Sequence, residues 1–152
     1  MGLREFMSGP GRAMVHGLPA SAPKPVVDAM RRSYAAWNDR DLDTLRELYA
    51  PDTEWDMSNI EGWPDTPVYH GHEGLEQALE DWYGAWSEMS AEALQVVVGR
   101  AIFIHGRMEV RGHSGAVASY EFGQVIETRD GLVARVRTYS DVAAARFAAG
   151  VE

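Results

Sequence analysis

AVASYEFGQVIETRDGLVARVRTYS, residues 116–140, is the stretch whose reading decides the fold. Side chains in it alternate, so Tyr120, Phe122, Gln124 and Ile126 fall on one face and Glu121 and Glu127 on the other. A period of two marks strands, and the Asp-Gly pair at 130–131 between two such runs is a hairpin signal. Two earlier stretches, ALQVVV at 93–98 and AIFIHGRMEVRG at 101–112, alternate or run apolar in the same way. Turn-forming GRA, GHSG and TRDG separate the runs, which predicts a meander of antiparallel strands.

Upstream the period is 3.6. PKPVVDAMRRSYAAWN, residues 23–38, sets Val26, Met30, Ser33, Tyr34 and Trp37 on one helical stripe. Asp41 caps a second helix carrying Leu42, Leu45, Leu48 and Tyr49, which Pro51 ends. TEWDMS, residues 53–58, reads as a brief strand and residues 59–72 as a loop; EGLEQALEDWYGAW, residues 73–86, turns Leu75, Ala78, Leu79, Trp82 and Trp86 inward on a third helix. Asp141 caps a short last helix that Gly150 closes. Helices first and strands afterwards predict an α+β fold, a cone-shaped curved antiparallel sheet closed by N-terminal helices, with a short C-terminal helix. Such a cone keeps an apolar interior suited to a small molecule.

At 152 residues the chain has room for one core, expected over residues 25–152 behind a flexible leader of residues 1–24 rich in Gly, Pro, Ser and Ala. With no cysteine, thiol chemistry is excluded and a cytoplasmic setting is expected. The net charge of −9 is uneven: residues 39–92 hold fifteen acids against two arginines, and Lys24 is the only lysine. Neither a nucleic-acid partner nor a membrane partner fits that pattern. No phosphate-cradling glycine loop is present.

NDRDLDTLRELYAPDTEWDMS, VYHGHEGLEQALEDW, RDGLVARVRTYSD and AAARFAAGV, in this order and spacing over about residues 26–150, resemble the SnoaL-like branch of the nuclear transport factor two-like superfamily, relatives of polyketide cyclases and ketosteroid isomerases. The resemblance implies a cone-shaped pocket, no cofactor and a homodimer, expected through the outer sheet face. Three departures bear on chemistry. Met57 stands where the steroid isomerases carry a catalytic aspartate, Gln124 where many SnoaL-like relatives have a histidine, and Thr138 where the epoxide hydrolases have an aspartate.

The catalytic candidates are therefore Asp56, Gln124 and Tyr120. A carboxylate beside Trp55 and Met57 has its charged form disfavoured and suits a general base. The alternation turns Asp56 away if Trp55 and Met57 face inward, unless a bulge swings it round. Gln124 and Tyr120 would hydrogen-bond a developing oxyanion, or Gln124 would satisfy a core neighbour instead. Tyr34, Trp37, Trp55, Met57, Trp63, His70, Trp82, Trp86, Phe122 and Thr138 are the expected ligand-binding residues, with Trp63 in a loop able to act as a lid. His70-x-His72-x-x-x-Glu76 is half of a cupin-like metal pattern with its Glu on a helix, so no metal is expected. Two readings stay open: a cofactor-free cyclase, isomerase or dehydratase acting on an apolar carbonyl compound, and a dimeric binding module without turnover.

Overall fold

The Asp-Gly turn is formed as expected. Asp130 and Gly131 both take positive φ, 54° and 79°, the twist that joins two antiparallel strands through two residues. In the computed structural model, which describes residues 22–62 and 67–151, that turn links β5 (Val117–Arg129) to β6 (Leu132–Tyr139). β3 (Glu88–Val98) and β4 (Ile102–Arg111) precede them as an antiparallel run, in register with Ile104 opposite Gln124 and Met108 opposite Tyr120. The expected leader boundary and Trp63 lie outside the described residues apart from Ala22, Pro23 and Lys24.

Among the described residues four helices accompany the sheet: α1 (Lys24–Asn38), α2 (Leu42–Leu48), α3 (Gly71–Ala85) and α4 (Val142–Ala148). Asp41 caps α2 by accepting from the Thr44 N–H at 3.1 Å, and Asp141 caps α4 from the Ala144 N–H at 3.2 Å. The α1 stripe is rotated slightly from the sequence reading: Val27, Met30, Ser33, Ala36 and Trp37 are buried, while Val26 and Tyr34 flank them.

Two segments differ from the periodicity. Tyr49 leaves the helix and begins β1 (Tyr49–Asn59), an eleven-residue strand that runs straight through Pro51. The proline is tolerated because the β1–β6 register shifts between Tyr49 and Glu54, where no ladder bond is asked of it. Within the region read as a loop, Val68–His70 forms β2, paired antiparallel with β1. The sheet order is β2-β1-β6-β5-β4-β3, curved and unclosed, and antiparallel throughout except that β1 lies parallel to β6. No helix among the described residues is long and apolar enough to cross a membrane.

The two faces of the sheet are covered differently. The main core lies on the concave side, where α1, α2 and α3 pack. A smaller cluster of Val97, Phe103, Val125, Ala145, Ala149 and Val151 puts α4 on the opposite side. There the remaining strand surface carries cross-strand ion pairs, Arg107 with Glu92 at 3.1 Å, Arg111 with Glu88 at 3.3 Å, and Arg135 between Glu54 and Glu127 at 3.8 Å each. Exposed pairs of this kind add little stability.

Asn38, the last residue of α1, pins the helix to β3 by mimicking a strand neighbour. Its amide donates to the Ala91 carbonyl at 2.8 Å and its oxygen accepts from the Ala91 N–H at 2.8 Å. Substitution Asn38→Leu leaves two half-buried backbone groups without partners and should lower unfolding stability by about 1–3 kcal/mol in urea denaturation.

Candidate functional site

A chamber opens where α1 stands off the concave face. It is lined by Ser33, Tyr34 and Trp37 of α1, Leu45 of α2, Tyr49, Trp55 and Met57 of β1, Ile60, Trp82 of α3, Ala91 of β3, Met108 of β4, Tyr120, Phe122 and Gln124 of β5 and Thr138 of β6. The indoles set its shape. Trp37 packs against Trp55 at 4.8 Å between ring centroids and meets Trp82 edge-on at 6.4 Å, and Tyr49 stacks on Trp55 at 6.3 Å. The tip of the Phe122 ring lies against Gly106 of β4, where an added Cβ would come 2.3 Å from its Cζ, so this glycine is what lets the ring stand at the wall.

The chamber is narrow. The space open to the centre of a water-sized sphere is about 50 Å³, enough for a few heavy atoms and too little for a whole drug-sized ligand. Beside it lies a wider cleft of about 710 Å³, lined by Glu61, Asp81, Trp86, Glu121 and Ser140 among others. Ile60, Trp82, Tyr120 and Phe122 belong to both linings and form the boundary between them.

A polar chain crosses the apolar interior. Tyr34 Oη donates to Gln124 Oε1 at 2.6 Å, Gln124 Nε2 donates to Thr138 Oγ1 at 3.2 Å, and Trp55 Nε1 reaches the same Thr138 oxygen at 3.4 Å. Gln124 and Thr138 are 8% and 4% exposed, so these bonds replace water that the side chains have lost. Ser33 Oγ and Tyr49 Oη share a further bond of 3.1 Å. Burial raises the Tyr34 hydroxyl well above its ordinary range, with the neighbouring Tyr49 adding to the effect. Burial likewise raises Tyr49, partly offset by the Ser33 hydrogen bond, and burial raises Tyr120 at the rim. Burial thus favours the protonated, hydrogen-bond-donating form of all three phenols.

Of the sequence candidates, Tyr34, Trp37, Trp55, Met57, Trp82, Tyr120, Phe122, Gln124 and Thr138 converge on the chamber. Tyr120 donates its hydroxyl to Met108 Sδ at 3.2 Å, which directs it away from the polar chain. Asp56 does not reach the interior. Trp55 and Met57 face inward, so alternation turns Asp56 outward, and the bulges in β1 fall on either side of it without reversing that parity. Its carboxylate closes a local turn, accepting from the Ser58 N–H at 2.8 Å and the Ser58 hydroxyl at 2.5 Å. Asp56 is accordingly not among the residues that line the chamber.

His70 is exposed at the start of α3, away from the chamber, because the preceding β2 residue Tyr69 takes the inward position. Trp86 sits just past the end of α3, half-buried in the outer cleft, since the helix stops at Ala85 and the chain turns into β3. His72 bonds the Tyr49 carbonyl at 2.9 Å and Glu76 faces Arg46 at 3.6 Å. No group of three His, Cys, Asp or Glu among the described residues is placed to hold a metal.

Sequence reasoning missed Ser33 and Tyr49 as site residues. The helical stripe did place Ser33 inward, but Tyr49 was read as the end of a helix and its pairing was therefore hidden. Ala91 and Met108 were missed because small and flexible side chains carry no distinctive signal.

The sequence pattern of the SnoaL-like domain matches residues 30–136, and the chain belongs to that family. Solved structures share the fold. TerC, crystallised with polyporic acid, is 24% identical with a TM-score of 0.68, the match covering 80% of this chain and 95% of TerC. A putative polyketide cyclase from Sinorhizobium meliloti is 20% identical (TM-score 0.59, 73% and 93% covered). An epoxide hydrolase of the LEH-like type from M. tuberculosis is 16% identical (TM-score 0.61, 86% and 87% covered). At these identities the likeness is one of fold. No curated protein matches the chain in sequence.

The shifted phenols give a pH prediction. Folded Tyr34 and Tyr49 stay protonated above 10.0, the ordinary phenol value at which the unfolded chain ionises, so the unfolded state loses protons first. Stability should therefore be full below pH 10 and fall as pH rises through and beyond it. In melting curves taken across that range, Tyr34→Phe should have a shallower fall than the parent chain.

Proposed function

We propose that the chain is a small-molecule binding module that holds an apolar ligand against the indole-walled chamber and does no proton transfer there. One observation carries the reading: among the described residues lining the chamber there is no Asp, Glu, His, Lys or Arg. General acid–base catalysis works best with a group that titrates near the working pH, and the only titratable side chains among the described lining residues, the phenols of Tyr34, Tyr49 and Tyr120, are raised away from it by burial. The three positions at which the resemblance would supply such groups hold Met57, Gln124 and Thr138. The cyclase, isomerase or dehydratase reading thus lacks a base, although its ligand-holding part fits the walls. The co-crystal of TerC with polyporic acid supports small-molecule binding as a use of this fold. No residue set in the site calls for a cofactor.

The size of the two spaces supports one pose. A few heavy atoms of the ligand occupy the inner chamber, and its body lies in the cleft against Trp82, Trp86 and Phe122. Homodimerisation is the accompanying proposal. The part of the outer sheet face that α4 leaves open alternates Arg107 and Arg111 with Glu88 and Glu92 around exposed Val117, a pattern that a second copy related by a two-fold axis can complement. Sedimentation velocity tests it, with a monomer at tens of micromolar counting against it.

For the chamber, the neutral probe 4-phenylbutan-2-one should quench tryptophan fluorescence with saturation. Ala91→Leu, which fills the inner space, should abolish quenching, and Asp56→Asn should leave it unchanged. In deuterium oxide the probe's α-hydrogens should exchange no faster with protein than without. Accelerated exchange, or loss of binding in Asp56→Asn, would overturn the reading.

A further inference from the structure

The polar chain inside the chamber has more hydrogens than it uses. Tyr34 and Thr138 each bring one hydroxyl hydrogen, Trp55 one indole N–H and Gln124 two amide hydrogens, yet only three hydrogen bonds connect the four side chains. Two hydrogens are left without an acceptor among the described residues. With Thr138 Oγ1 already accepting from both Gln124 and Trp55, they are the Thr138 hydroxyl hydrogen and the second Gln124 amide hydrogen. Turning the Gln124 amide over moves one of them to Tyr34 but leaves their number at two, so the surplus does not depend on which amide atom is nitrogen.

Unused lone pairs remain as well, on Gln124 Oε1 and Tyr34 Oη. The two kinds of vacancy are not equivalent, since buried carbonyl oxygens are often left with one lone pair free whereas buried hydrogens without an acceptor are rare. Gln124 and Thr138 are both more than nine-tenths buried and both line the chamber, so the demand for an acceptor faces the ligand space.

We propose that the end of the ligand that enters the chamber is a neutral hydrogen-bond acceptor, a ketone- or ester-type carbonyl oxygen, held by Gln124 and Thr138 as paired donors. This rests on the reading of the chamber as a ligand site. A hydrocarbon end leaves both hydrogens unmet, and an ammonium end brings more hydrogens to a site that already has too many. Among the described residues an anionic end meets no compensating cation in the lining, and the cleft it must pass carries Glu61, Asp81 and Glu121 with no basic side chain. The chamber's few-atom volume suits an acetyl-sized group and leaves the rest of the ligand outside. Gln124 and Thr138 are then specificity-determining residues, and Tyr34 positions Gln124 by fixing its oxygen.

The test compares 4-phenylbutan-2-one with butylbenzene and with protonated 4-phenylbutan-2-amine. Wild-type protein should bind the ketone and the hydrocarbon and reject the ammonium. In the triple variant Tyr34→Phe/Gln124→Leu/Thr138→Val, where partners are removed together, the affinity ratio of ketone to hydrocarbon should fall about tenfold. A second readout needs no variant: the carbonyl stretch of carbon-13-labelled ketone bound to wild type should lie below its position in cyclohexane. A ratio unchanged in the variant, together with an unshifted stretch, overturns the donor assignment while leaving the binding reading intact. Failure of every probe to bind wild type overturns the binding reading itself, and this assignment with it.

Discussion

Trp37 is the side chain on which the arrangement depends. It stands near the end of α1 and touches Trp55 from the sheet and Trp82 from α3, so three separate elements meet through one indole. An indole is rigid and large, and at this contact it acts as a spacer as much as a glue. Smaller side chains would let α1 settle onto the sheet and close the space between them. The end of α1 is then fixed from other directions: Asn38 ties it to β3, and the Tyr83 hydroxyl donates to the Trp37 and Asn38 carbonyls at 2.8 and 3.1 Å. Arg40 lies over the Tyr83 ring at 3.7 Å and completes the brace. The Trp37 carbonyl also accepts from the Arg40 N–H at 3.1 Å just past the helix end, so backbone and side-chain donors together close this terminus and orient it.

A polar chain held this deep runs against the simplest account of a core. Replacing Gln124, Thr138 and Tyr34 with apolar side chains of similar shape would remove a desolvation cost at little loss of packing. A connected set of buried hydrogen bonds is better understood as fixing one arrangement of the groups around it. Here the set spans α1, β1, β5 and β6, which are the elements that must keep their separation if the chamber is to persist.

Much of the fold was legible because its signals are local. Alternation in β4 and β5, the Asp130-Gly131 turn and the Asp41 and Asp141 caps each depend on a few neighbouring residues. The parallel pairing of β1 with β6 depends on residues some eighty positions apart, and nothing in either segment announces its direction. Pro51 misled for a related reason: a proline ends a helix in sequence, yet a register shift supplied from another strand makes it harmless inside a sheet. For the site, parity placed Gln124, Thr138, Trp55 and Met57 correctly as inward side chains. Trp86 escaped because its place depends on where α3 stops, and the size of the chamber because volume is a property of the whole packing.

The same parity argument explains why membership of a family does not by itself fix the chemistry of the chamber. Inward positions on β1, β5 and β6 are set by the sheet, so their side chains face the chamber whatever they are. Met57, Gln124 and Thr138 occupy such positions, and they present a thioether, an amide and a hydroxyl to the chamber. Asp56 is one residue away from an inward position, and one residue is a half-turn of the strand, enough to place its carboxylate on Ser58 in solvent. What the fold preserves is therefore the address of each side chain and the dryness of the space. What it leaves open is the chemistry of the occupants, which the side chains decide and the topology does not.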